Sequence, residues 1–594
     1  MDPVAESAPA ARLPADILAI IFDVAHSSLD ILHLAQTCKA IYRQLQPSFR
    51  RHRHAHHTFR HASDRDPRAL MELVRQLVIR CDPVVAKYVR SFDVWGARLS
   101  WPEWRNINVD PSDGITFADE EAASDRFSPD EISRLLAIAS DVVGESESEA
   151  ARNELENGHD GLLKLLIIAS APRLECLKFI RRQDPRHKSG RAWLYKAICH
   201  QTQTEAVASE ATSPSQHHWP PGMTALRSLA VGIDTGLAED HDDVAVAEVW
   251  EVDAELPMLM RLPYLCSLYY RIPFFSDDMG PLWGWDELDW HDPDNGYEPY
   301  ENLYRNHLPA DTPPGSSAVT ELYLEDFRGN CTGDEDLYVK LLAMPRALES
   351  FAARFNQGEF GEGVSAGDFL DSLGNHQKHS LRRMMFYSPW NIRGYRCRAY
   401  LPEDIPDAPL TMYWQSAADM GLMASHINRT TDRAALVTTF EECLDREALE
   451  VLLLDDVIEG WCIDDASMTV SYYEDALVAV LQLLGEKNLK ALFISLPGSP
   501  DVDAVTGTPN GFTRVLEMAE KHNIDLYGSE HFKAKKQHVL NFPTAPSKWD
   551  IGSGPDYGKR IEQGFTLWDV EEDVYKLSNS KDVYWGYEPP KKTS

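Results

Sequence analysis

The chain has 594 residues, 43% hydrophobic and 25% charged, an ordinary globular balance that allows more than one domain and excludes wholesale disorder. A formal net charge of −35 argues against general nucleic-acid or anionic-membrane binding. Nine scattered cysteines with no C-x-x-C pair argue against a disulfide framework and a zinc site.

Residues 1–11 form an Ala- and Pro-rich leader with no basic and apolar signal-peptide regions, and no run of about 18 apolar residues is long enough for a membrane span. With free thiols, this points to the cytoplasm and/or nucleus, and makes the Asn-x-Thr tripeptides at Asn330 and Asn428 chance matches. The segment LPADILAIIFDVAHSSLDILHLAQTCKAIYRQLQPSF then reads as two amphipathic helices. Pro14 suits a first helical turn, where its missing N–H costs little. Ile17, Leu18, Ile21 and Phe22 make one apolar stripe, and Ser27 and Ser28 interrupt it. Ile31, Leu32, Leu34, Ala35, Cys38, Ile41 and Tyr42 make a second stripe, which Pro47 ends. Taken alone, such stripes are more often core than interface.

The order of these elements (Leu13-Pro14, Asp16, Ile17-Leu18, a turn, Asp30-Ile31-Leu32-x-Leu34, Thr37-Cys38-Lys39, Tyr42) resembles the F-box at the head of many fungal F-box proteins. The turn before Asp30 is about one residue longer than the usual pattern, and the match covers under a tenth of the chain. The resemblance implies that Leu13, Pro14, Ile17, Leu18, Ile21, Ile31, Leu32 and Leu34 dock on a Skp-type adaptor and through it on a cullin. Apolar anchors at i, i+3, i+4 suit helix-in-groove recognition.

The run RRHRHAHHTFRH follows, with His52, His54, His56, His57 and His61. Alternating His and Arg give no fixed ligand geometry, so it reads as a solvated cationic helix end rather than a metal site. From Arg12 to Arg90 thirteen Lys or Arg stand against seven Asp or Glu, a net of +6 that leaves −41 for the rest. The stretch 61–105 is expected to be a helical linker to the repeats, within which 70–95 reads as a helix, a short Pro-containing helix, and a strand ending near Trp95. Residues 106–160 read as an acidic, loosely ordered insert around a helix at Pro129–Ser140.

In the body, over 161–540, a pattern Leu-x-x-Leu-x-apolar recurs. Its copies start at Leu174, Leu226, Leu265, Val319, Leu348, Leu381, Leu449 and Leu489, at intervals of 29 to 68 residues. Several follow helical runs: Gly161–Ala171, Leu337–Met344 and Ala476–Gly485. Repeated helix–strand units predict a parallel sheet with helices on one face, and the pattern resembles a degenerate leucine-rich repeat. The alternative is an α/β domain with chance Leu pairs. The stretches Gln201–Pro221 and Asp277–Thr312 are expected to loop out, and 541–594 to cap the last repeat and fray. The expected fold class is therefore α+β, a small helical N-terminal F-box (12–60) followed by an irregular α/β leucine-rich-repeat-like solenoid.

Trp283, Trp285, Trp290 and Tyr297 stand among carboxylates in one insert, a possible anchor for a basic or apolar peptide. Packing of these rings on the chain's own edge is the commoner outcome. Gly363-Val-Ser365-Ala-Gly367 matches G-x-S-x-G but lacks an apolar strand before the serine, and no P-loop, H-E-x-x-H or other cofactor motif is present. The expected role is a non-enzymatic substrate receptor that joins a Skp-type adaptor and cullin to an unidentified protein target, with no catalytic residue, metal or cofactor. A repeat scaffold with an F-box-like structural cap is the alternative, and a hydrolase using Ser365 a distant third.

Overall fold

The computed structural model describes residues 39–110, 114–122, 126–180, 190–210, 219–232, 255–271, 313–327, 336–355, 366–387, 447–454, 477–495, 513–529 and 574–577, with positions 14, 17, 18, 20, 21, 33, 36, 444 and 445. The chain divides into two compact units: residues 1–228 with 262–264, and residues 229–261 with 265–594. Both mix helices with parallel strands.

The N-terminal unit holds α1 (Lys39–Gln44), α2 (Gln46–Phe59), β1 (His61–Ser63), α3 (Pro67–Leu73), α4 (Pro83–Tyr88), β2 (Ser91–Val94), β3 (Ile107–Asp110) and β4 (Gly114–Phe117). It continues with α5 (Pro129–Val143), α6 (Ser148–Asn157), α7 (Gly161–Ser170), β5 (Cys176–Phe179), α8 (Gly190–Glu210) and α9 (Pro221–Ala225). Three of these helices start at a capping residue followed by proline. The Asp66 and Asp82 side chains accept from the second helical N–H of α3 and α4, and Ser128 with Glu131 forms a reciprocal capping box on α5. Helix α7 (GLLKLLIIAS) is buried from Gly161 to Ala169 and packs against α5, α6, α8 and α9. Strands β1, β2 and β5 lie parallel, with Ala62, Phe92 and Leu177 in register on the buried face.

The C-terminal unit carries β6 (Ser228–Val231), β7 (Ser267–Arg271), β8 (Glu321–Phe327), α10 (Asp336–Ala343), β9 (Ser350–Phe355), α11 (Ala366–His376) and β10 (Arg383–Tyr387). Next come β11 (Val451–Leu454), a helix over 477–484, β12 (Ala491–Ser495), α12 (Thr513–Lys521), β13 (Asp525–Ser529) and β14 (Val574–Leu577). Its strands stand side by side in chain order. The pairs from β7 to β13 are parallel, and β14 closes the edge antiparallel to β13.

Every one of the eight Leu-x-x-Leu copies runs into a strand, β5 through β12, which starts two residues after its first apolar position. Their first apolar positions, Leu174 to Leu489, are at most 5% exposed, and their second, Leu177 to Leu492, are 0% exposed. A shared backbone joint accompanies them. The carbonyl just before one strand accepts from two successive N–H groups of the next: Arg90 O from Glu175 and Cys176, Thr320 O from Glu349 and Ser350, Glu349 O from Arg382 and Arg383, Arg382 O from Glu450 and Val451.

Three expectations change. The sheet starts at β1 and β2, well before residue 161, so 61–105 is part of it rather than a linker. Val89-x-x-Phe92-x-Val94 is a further copy of the pattern, with both Val89 and Phe92 at 0% exposure. The stretch 126–160 is packed rather than loose, because Leu135, Ala139, Val143, Ala151 and Leu155 bury one face of α5 and α6. Residues 201–210 continue α8 instead of looping out, since Trp193, Leu194, Ala197 and Ile198 seat that helix and Gln201 donates to the Val142 carbonyl at 2.9 Å. The stretch Asp277–Thr312 and nearly all of 541–594 lie outside the described residues.

Candidate binding surfaces

Positions 17, 18, 20 and 21 are helical, and the Leu18 N–H donates to the Pro14 carbonyl at 3.1 Å. Ile17 is 40% exposed, Ile20 58% and Ile21 43%, while Leu18 is 1% exposed. Pro14 is exposed as well. The outward apolar row is therefore Ile17, Ile20 and Ile21, the i, i+3, i+4 set counted from Ile17. Leu18, expected as a contact, is turned inward because it falls one step, about 100°, off that row. Ile20 was missed, although the same spacing selects it. Leu13, Ile31, Leu32 and Leu34 lie outside the described residues, as do Trp283, Trp285, Trp290, Tyr297, Asn330, Asn428 and Ser365.

A second surface is the polar sheet face of the N-terminal unit, opposite Phe92 and Leu177. Register aligns His61, Ser91 and Cys176 in one row and Ser63, Asp93 and Lys178 in the next. His61 Nδ1 lies 2.9 Å from Ser91 Oγ, and Lys178 Nζ lies 3.5 Å from Asp93 Oδ1. Burial holds the His61 imidazole below its usual range, with Arg60 adding to the effect. Burial raises the Asp93 carboxyl despite Lys178, and raises the Cys176 thiol. In the C-terminal unit the corresponding positions Tyr269, Tyr323, Ser350 and Ala352 are buried, and the two tyrosine rings meet edge-on at 5.0 Å. Beside them Arg383 Nη2 pairs with Glu321 at 2.7 Å, and burial outweighs that pairing to raise the Glu321 carboxyl.

No family model matches this chain, and no curated protein matches it.

Among the described residues the most deeply buried charges are Asp64, Arg98, Asp160 and Lys164, all with fully buried side chains. Lys164 Nζ sits 2.9 Å from both Asp64 Oδ2 and Asp160 Oδ1, and Arg98 Nη1 sits 3.1 Å from Asp160 Oδ2. The remaining positions are also filled: Asp64 Oδ1 accepts from the Trp95 N–H at 2.8 Å, and Arg98 Nη2 donates to the Asp64 and Arg105 carbonyls. Two cations and two anions with full hydrogen bonding leave nothing aimed at a ligand; the cluster fastens β1, the segment after β2, and α7 together.

The histidine-rich run forms α2. His52 turns inward to Tyr88, Nδ1 to hydroxyl 3.0 Å, while His54, His56 and His57 face outward. Among the described residues no group of three or more His, Cys, Asp or Glu is placed to hold a metal ion, and no helix is long and apolar enough to cross a membrane.

Proposed function

We propose that the chain is the substrate-recognition subunit of a Skp–cullin–F-box ubiquitin ligase. The observation that carries this is the exposed row Ile17, Ile20 and Ile21 in a helical segment whose sequence resembles an F-box. Three isoleucines facing out of one helix leave apolar surface in water, at about 25 cal/mol per Å2, that a groove on an adaptor would cover. The body supports the same reading. Helix-then-strand units in chain order, with parallel strands and a repeated joint, have the logic of an irregular leucine-rich-repeat solenoid. Such a receptor does no bond chemistry and works by holding a target close to the transfer machinery.

The alternative, a repeat scaffold whose head is only a cap, draws on the burial of Leu18. The two readings part on the exposed residues. Ile17→Asp with Ile21→Asp, both on the surface, leaves folding intact and weakens co-purification with a recombinant Skp-type adaptor by about tenfold or more. Adaptor capture at the wild-type level by this double variant would sink the receptor reading.

A further inference from the structure

We infer that the outer face of α2 is a docking surface for a short acidic peptide segment of a protein partner. Helix α2 buries Ser48, His52, Ala55 and Phe59 along one stripe. Diametrically opposite, at i, i+3, i+4 and i+7, stand Arg50, Arg53, His54 and His57, all exposed. No carboxylate pairs with any of these four among the described residues. The neighbouring Arg51 is different, being tied to Asp82 at 2.7 Å.

The surroundings are cationic too. No Asp or Glu occurs between Lys39 and Ser63, and Lys39, Arg43 and Arg60 are exposed. Like charges along one helix face repel, and cations in the first turns oppose the positive end of the helix dipole. A helix arranged this way gains from an anionic neighbour that the described structure does not supply.

Geometry selects the partner class. Arg50 to His57 spans seven residues, about 10 Å of helix, which matches three or four extended peptide residues and one Debye length. A duplex or a membrane extends well beyond that stripe and meets a chain of net charge −35, which repels it. A short acidic segment sees only the local positive field. This surface is distinct from the Ile17, Ile20, Ile21 row and does not depend on adaptor docking.

The test is fluorescence anisotropy with the full-length chain and a labelled eight-residue Asp/Glu peptide, beside its Asn/Gln analogue and an eight-nucleotide single-stranded RNA. The acidic peptide binds, the neutral analogue does not, and the RNA binds more weakly than the peptide. Arg50→Glu with Arg53→Glu weakens the peptide by about tenfold or more. Arg50→Gln with Arg53→Gln weakens it less, and circular dichroism on both variants checks that α2 persists. Arg134→Glu, an exposed site on α5, changes net charge without touching the stripe and leaves affinity unchanged. The inference is overturned if the peptide does not bind, if the α2 variants bind it like wild type, if Arg134→Glu weakens it equally, or if the RNA binds more tightly.

Discussion

Lys164 shows how a single residue can be unreadable in sequence yet decisive in structure. It interrupts GLLKLLIIAS, a run that is otherwise apolar and buried on every side. A lone ammonium there would cost several kcal/mol in lost hydration. Asp160, one turn earlier on the same helix, and Asp64, a hundred residues upstream, both reach it at 2.9 Å. Helical spacing alone pairs Asp160 with Lys164, but Asp64 could not be matched to it without knowing that β1 lies beside α7. The four charges balance, so removing one anion leaves two buried cations facing a single carboxylate. Asp160→Asn therefore lowers the stability of the N-terminal unit by about 3–5 kcal/mol, read as a shift of the urea midpoint at constant slope. Arg134→Ala, on the surface of α5, moves it by less than about 0.5 kcal/mol. Equal effects from the two variants would mean that the cluster is not a distinct source of stability.

At the scale of elements the strands were the legible part. The Leu-x-x-Leu pattern located β5 through β12 because its last two apolar positions are two residues apart and so share one face of a strand. It missed β1, a three-residue strand with only Ala62 on its buried face, and left β2 out of the repeats although Val89, Phe92 and Val94 fit the pattern, because valine and phenylalanine stand in place of its leucines. The acid-rich stretch before α7 misled in the other direction: most of its charges lie on the outer faces of α5 and α6, while the inner faces pack and take Glu154 in with them, bonded to the Trp193 indole N–H at 2.6 Å. The first apolar stripe, from Ile17 to Ile21, was half legible, because spacing finds an apolar row but cannot say which row meets the chain's own core. Helices α3 and α4 each start at an Asp-Pro pair, and the second carries a pH dependence. Burial pushes the Asp82 carboxyl up, but the Arg51 guanidinium and the Val84 N–H outweigh it and leave it below the ordinary carboxylate range. A depressed carboxyl contributes stability that is full above its unfolded value, about 3.9, and is lost as pH falls through the lower folded value. Asp82→Asn keeps the cap on α4 but loses the charge. It is less stable than wild type by under about 1 kcal/mol at pH 7, and the gap closes toward pH 3 in calorimetric scans. A gap that widened on acidification would contradict this sign.

Taken whole, the molecule sets a cationic head against an anionic remainder, +6 over Arg12–Arg90 against −41 elsewhere. Self-repulsion in a chain of net −35 opposes compaction, and added salt relieves it. Opposing this are exposed ion pairs at the strand starts, where Glu450 takes both Arg382 and Lys490, whose side chains are 54% and 63% exposed. Pairs this open are worth little each and are themselves screened, so repulsion wins. Raising sodium chloride from about 20 to 300 mM then raises the thermal midpoint by about 1–3 °C, while the same change weakens the acidic peptide on α2. The two responses have opposite signs because one comes from like charges spread over the whole chain and the other from unlike charges meeting on one helix. A midpoint that fell with salt would mean instead that the ladder through Arg382, Glu450 and Lys490 contributes more than the repulsion removes. In that case Glu450→Gln would abolish the salt response along with the ladder.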